Sequence, residues 1–172
     1  MTKPPRTMME VFRSLPEGTL VQLIENNIVM SPAPKFQHQE VLMKIISQLQ
    51  PFIENNQLGQ LVVAPVDVFL GNKNALQPDI LFISNERKSL IEEDGLHGAP
   101  DLVVEILSPS TARFDLEEKK DVYERFGVKE YWIVEPASRS VQGYALVNNS
   151  FEEIPAGKGE IASKLWGERF IF

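Results

Sequence analysis

The chain predicts an α/β (α+β) sandwich built on a mixed central sheet. Three observations predict it: an amphipathic helix early in the chain, short β-branched runs bounded by turn formers, and one later helix set between two of those runs. Met8 to Leu15 predicts a short amphipathic helix, closed by Pro16-Glu17-Gly18, after a loose tail over residues 1–6 with its two prolines. Leu20 to Glu25 and Ile28 to Met30 read as a hairpin about Asn26-Asn27. Ser31-Pro32-Ala33-Pro34 breaks the pattern. From Lys35 the spacing turns helical, with Val41, Leu42, Ile45, Ile46 and Leu49 on one stripe and Pro51 near the helix end. Leu61 to Leu70 reads as one strand holding Asp67, and Gly71-Asn72-Lys73-Asn74 turns into the strand that begins Gln77-Pro78-Asp79. Asn85 to His97 is charged and irregular, with one helical turn over Arg87 to Ile91. Ser108-Pro109-Ser110-Thr111 forms a turn after the strand Asp101 to Leu107, and the helix from Asp115 ends at Gly127. Glu130 to Glu135, Ser140 to Val147, Phe151 to Ile154 and a final apolar segment toward Phe172 read as strands. Trp166 to Phe172 suits either an interface or a core strand.

At 172 residues, 43% hydrophobic and 24% charged, the chain is expected to be a single domain over 1–172 with a sizeable core. There is no cysteine, hence neither a disulfide nor a thiolate metal site. No apolar run is long enough to span a bilayer, and MTKPPRTMME lacks the apolar centre of a signal peptide, so a cytoplasmic protein is expected. With 17 basic and 24 acidic residues the formal charge is −7, which disfavours holding nucleic acid by bulk electrostatics and leaves a locally basic cleft as the alternative.

The stretch Gly98 to Pro136 carries the chemistry. Alternation along its first strand puts Asp101, Val103 and Glu105 on one face and Leu102, Val104 and Ile106 on the other. A carboxylate inside so apolar a strand requires compensation by a cation or a lysine, which makes Glu105 the most informative residue. Asp79 opens a similar strand. Asp115, Lys119 and Tyr123 follow at i, i+4, i+8 on one helix face. Two carboxylates on strands and a lysine from the next helix suit a hard metal ion with a cationic assistant. The competing readings are ordinary: a solvated strand start for Asp79, a buried ion pair for Glu105, a mixed-charge helix surface for Lys119, a helix N-cap for Asp115 and core packing for Tyr123. Asp67 and Asp101 read as structural or outer residues, and Tyr131-Trp132 as sheet packing.

The succession LIENNIVMSPAP, HQE, APVDVFL, QPDILFIS, GAPDLVVEILSPST, DLEEKK and GVKEYWIVEP resembles the Uma-two family of restriction-type endonucleases, placed in the PD-(D/E)xK nuclease superfamily. The resemblance runs from about Leu20 to Pro136. It implies a restriction-endonuclease-like mixed β-sheet core flanked by helices and Mg²⁺-dependent hydrolysis of DNA phosphodiesters, with Mn²⁺ as a substitute. It makes Pro78-Asp79 the PD, Glu105 the (D/E), and Asp79 and Glu105 the metal holders. The lysine two residues beyond Glu105 is replaced by Leu107; the resemblance moves it to Lys119, with Lys120 as the neighbouring alternative, off the Asp115–Tyr123 face. Glu25 and His38 match recurrent polar positions and are ranked as auxiliary, as are Asp115 and Tyr123. The Ile106 carbonyl is a further candidate ligand. A homodimer is implied for cutting both strands. The rival readings are a nuclease-fold binding or assembly module that no longer cuts, and a hydrolase of another phosphate ester such as a nucleotide.

Overall fold

A six-stranded mixed sheet forms the centre of the molecule, in a computed structural model that describes residues 5–16, 18–109 and 112–172. Its order is β12 (Ser150–Ile154), β11 (Val141–Val147), β10 (Glu130–Val134), β9 (Leu102–Ile106), β6 (Ile80–Ser84) and β3 (Gly59–Val63). Only the central pair β9·β10 is parallel, as expected for two strands joined through a helix; its other pairs are antiparallel. The 20-residue helix α2 (Phe36–Asn55) covers one face and α3 (Lys119–Phe126) the other. A second six-stranded sheet runs β2 (Asn27–Met30), β1 (Val21–Ile24), β5 (Ala75–Leu76), β4 (Val68–Phe69), β8 (Gly95–Leu96) and β7 (Ile91–Glu92). It packs on the α3 side of the central sheet. The short helix α1 (Met8–Arg13) is set by a capping box, in which Thr7 accepts from the Glu10 N–H and Glu10 reaches back to the Thr7 N–H. The tail residues 1–4, Glu17 of the first turn, and Ser110 and Thr111 of the turn after β9 lie outside the described residues.

The predicted alternation divides the core. Leu102, Val104 and Ile106 of β9 pack with Ile80 and Phe82 against Val41, Leu42, Ile45 and Leu49 of α2. Val103, Leu81 and Ile83 face Val122 and Tyr123 of α3. Strands buried on both faces read as continuous apolar runs, which is how β6, β9 and β10 appear in the sequence.

Three expectations are corrected, and of the two alternatives for the C-terminus the structure has the core strand. The run Leu61 to Leu70 is two strands in two different sheets, β3 and β4, because Pro65 has no N–H to continue a ladder and the chain crosses between sheets there. The first hairpin turns at Glu25-Asn26 and not Asn26-Asn27: Ile24 pairs with Asn27, and both central residues take positive φ (46° and 65°). Asp115 does not cap its helix. It lies inside a π-helical turn, Phe114–Glu118, that runs directly into α3. The apolar C-terminus supplies one strand of a separate antiparallel hairpin, β13 (Glu160–Ser163) with β14 (Glu168–Ile171), whose Ile161, Phe170 and Phe172 join the α2-side core. Trp166 packs against Phe52, Phe82 and Phe170 at ring distances of 5.6, 5.0 and 5.8 Å.

Candidate active site

The antiparallel register of β6 and β9 pairs Ile80 with Val104. One step further along the same register sets Asp79 across from Glu105. The Ile106 N–H donates to Asp79 Oδ2 at 2.7 Å, and His38 Nε2 lies 3.1 Å from the same oxygen. His38 sits in the first turn of α2, buried, with its Nδ1 lacking a hydrogen-bond partner among the described residues. Burial pushes the imidazole pKa down, and the Asp79 hydrogen bond and charge outweigh it, leaving the pKa raised.

Glu105 and Lys119 are each 2% exposed. Lys119 Nζ donates to Glu105 Oε1 at 3.0 Å and lies 2.8 Å from Asp115 Oδ1. The Tyr123 hydroxyl donates to the same Glu105 oxygen at 2.9 Å. Burial pushes the Glu105 carboxyl up to about 8, against the pull of the Lys119 ammonium. Burial alone would lower Lys119, but Glu105 and Asp115 together hold it above its ordinary value, so it stays charged. The π-helical turn aims Asp115 and Lys119 at the strand, and the Tyr131 hydroxyl fixes that turn by donating to the Asp115 carbonyl at 2.7 Å. Leu107 packs into the α3-side apolar cluster, so the ammonium beside Glu105 comes from the helix rather than from the strand.

Both bonds to Asp79 reach Oδ2 and both to Glu105 reach Oε1. Asp79 Oδ1 and Glu105 Oε2 thus carry no hydrogen bond among the described residues. Two carboxylates with one oxygen left on each form a donor set suited to a hard divalent cation. They open into a cleft of about 510 Å³ that is also lined by Lys35, His38, Ile106, Asp115 and Lys119.

The Uma2 family model, described as "Putative restriction endonuclease", matches residues 9–165. The chain belongs to the Uma2 family. Its fold is similar to that of a protein from Anabaena variabilis whose crystal structure is described as "a putative nuclease belonging to DUF820". The TM-score is 0.76 at 20% identity, over 95% of this chain and 92% of that one. No curated protein matches the chain. The family and fold make this Uma2 chain nuclease-like.

The remaining candidates fall elsewhere. Glu25 is at the first hairpin turn and outside the cleft lining. It accepts from Asn74 Nδ2 at 3.1 Å and pairs with Arg125, tying the end of α3 to the hairpin. Lys120 leaves the site as well, its Nζ lying 3.9 Å above the Tyr144 ring. Asp101 is buried in a structural network with Lys129 at 2.6 Å, Arg87 at 3.5 Å and the Ser84 N–H at 2.8 Å. Asp67 accepts from Gln77 Nε2 at 2.8 Å. The sequence reading missed the cleft's outer wall, residues 31–35 of the Uma2 chain; its two prolines before a helix were the available signal. It also missed Glu92, Asp94 and His97, whose ligand atoms lie within 4.8 Å of one another outside the cleft. Among the described residues no helix is long and apolar enough to cross a membrane.

Proposed function

We propose that this chain is a metal-dependent endonuclease that hydrolyses DNA phosphodiester bonds. The observation that carries the reading is the pairing of Asp79 and Glu105 across neighbouring strands, each with one uncommitted oxygen, beside the buried Lys119 ammonium. Asp79 and Glu105 would hold Mg²⁺ or Mn²⁺. When bound, such an ion lowers the pKa of a coordinated water and offsets charge developing on the phosphate.

The protein's own contribution is positioning and charge. The Ile106 N–H and His38 fix the Asp79 carboxylate from two directions. Tyr123 and Lys119 do the same for Glu105. Because its pKa is raised, Lys119 keeps its proton at neutral pH. Its role is therefore to orient the attacking water and stabilise negative charge, not to act as the base.

Calorimetric titration of Mg²⁺ and Mn²⁺, paired with a plasmid-nicking assay, tests the assignment on the wild type and on Asp79→Asn and Glu105→Gln. The expected outcome is metal binding and cleavage in the wild type and neither in the variants, with circular dichroism unchanged. Wild-type cleavage by either variant overturns it.

A further inference from the structure

We propose that the first turn of α2, together with Lys35, is an anion site that grips a backbone phosphate of the substrate beside the metal-holding carboxylates. The proposal rests on the nuclease reading above and names the part of the substrate that this wall of the cleft recognises. Lys35, His38 and Gln39 bring the turn to the cleft lining. Lys35 is exposed and forms no ion pair among the described residues. Lys119, the other lysine of the lining, is held by Glu105 and Asp115. Among the described residues, Lys35 is thus the cleft's one ammonium left for a ligand.

The helix start is built without a cap. The first N–H groups of a helix have no partner within it, and a side-chain oxygen or a bound anion satisfies them. Here the ladder begins with the Gln39 N–H donating to the Lys35 carbonyl at 3.3 Å, and the N–H groups of Phe36, Gln37 and His38 donate to no described residue. Lys35 as N-cap offers no acceptor, and the first turn holds no acidic side chain. Pro32, Ala33 and Pro34 offer none either, and the Ser31 hydroxyl already accepts from Gln22 Nε2 at 2.6 Å. The short α1, by contrast, closes its own start with Thr7 and Glu10. A 20-residue helix with an uncapped start presents partial positive charge and outward N–H groups, the arrangement that suits phosphate.

A second, independent feature points to a ligand at the same place. His38 is 6% exposed and lines the cleft, yet its Nδ1 has no hydrogen-bond partner among the described residues. Its Nε2 is taken by Asp79 at 3.1 Å. Buried polar atoms are ordinarily paired, with protein, ordered water or ligand. An anion seated on the turn, directly or through one water, supplies that partner. His38 also sets the spacing, because it touches Asp79 one turn, roughly 5 Å along the axis, from Lys35. A phosphate held there lies next to the carboxylates. Its charge is met by one ammonium and a helix end, which a chain of net charge −7 does not supply in bulk.

The test is an amide-resolved NMR titration of inorganic phosphate in EDTA, with chloride at matched ionic strength as control, on the wild type, Lys35→Met and Lys35→Asp. Lys35→Met removes the charge alone, whereas Lys35→Asp also places a capping carboxylate on the helix start. Phosphate is expected to shift the Phe36, Gln37 and His38 amides saturably in the wild type, about fivefold more weakly in Lys35→Met and not at all in Lys35→Asp. The urea midpoint should rise in Lys35→Asp, which sets its lost binding apart from lost folding. Shifts no larger than those from chloride, or saturation in Lys35→Asp equal to the wild type, overturn the proposal. Cleavage kinetics on an oligodeoxynucleotide separate the two readings. Lys35→Met should raise KM about fivefold, with the loss in KM rather than in kcat, and reduce the salt slope by about 1. Saturable phosphate shifts without cleavage fail the nuclease reading and leave this one standing. Cleavage whose KM and salt slope are indifferent to Lys35→Asp does the reverse.

Discussion

Lys119 serves two buried carboxylates with one ammonium. Removing it leaves Glu105 and Asp115 in the interior without their cation, a change that typically costs about 3–5 kcal/mol. Lys119→Ala is therefore expected to lower the urea midpoint sharply and to abolish cleavage. Lys120 stands over the face of the Tyr144 ring, a partly exposed contact worth about 0.5–1 kcal/mol. Lys120→Ala should shift the midpoint little and cleave as the wild type does. Lost cleavage in Lys120→Ala with a stable, active Lys119→Ala would exchange the two roles.

At the scale of elements, the site depends on how strands meet. The register of β10 with β11 sets Trp132 opposite Gly143, and a Cβ at Gly143 would stand 2.2 Å from the Trp132 ring. That ring is fully buried in the core that supports β9, and its indole N–H donates to Glu130 at 3.1 Å. Gly143→Ala should force the ring to move and destabilise by about 1–3 kcal/mol, the usual range for overpacking, read as a lower urea midpoint. An unchanged midpoint would mean that the Trp132 pocket has room to adjust. Glu130 also accepts from the Ser163 hydroxyl at 2.9 Å and the Leu165 N–H at 2.5 Å, docking the β13–β14 hairpin onto the central sheet.

For the whole molecule, the buried Glu105 couples stability to pH. Its carboxyl moves from 4.5 when solvated to about 8 in the fold, so the folded state binds the proton more tightly than the unfolded one. The contribution is fully present below about 4.5 and is lost as pH rises through about 8. Metal-free protein should thus melt at a lower temperature on the alkaline side of that window, and Glu105→Gln should flatten this dependence. A divalent cation binds the carboxylate form, so its stabilising effect should grow over the same rise in pH. Melting curves with Mg²⁺ and with EDTA at both ends of the window check both statements. A wild-type profile that matches Glu105→Gln would show that Glu105 does not titrate there.

Most of the central sheet was legible because buried strands and amphipathic helices have local periods. The runs Asp101 to Leu107, Gln77 to Ile83 and Glu130 to Glu135 read as strands, which the structure has at 102–106, 80–84 and 130–134 with Asp79 just before its strand, and the stripe Val41 to Leu49 read as a helix from its spacing. The pairing of Asp115, Lys119 and Tyr123 on one face came from the same periodicity, and all three are buried beside Glu105. The break at Pro65, the π-helical turn and the ring that receives Lys120 were not readable, although the spacing already sets Lys120 off the Asp115–Tyr123 face. Each depends on which distant surface the chain meets: a second sheet, the Tyr131 hydroxyl, the Tyr144 ring. Glu25 shows the same limit, since a glutamate at a hairpin turn has no local sign that its partner is Arg125, a hundred residues on. What the sequence determined by itself was the type of each main element and the carboxylates its strands carry, because burial periodicity is local. Only the tertiary structure decided which oxygens remain for a ligand and which lysine stands beside them, because both follow from strand register and helix docking between segments far apart in the chain.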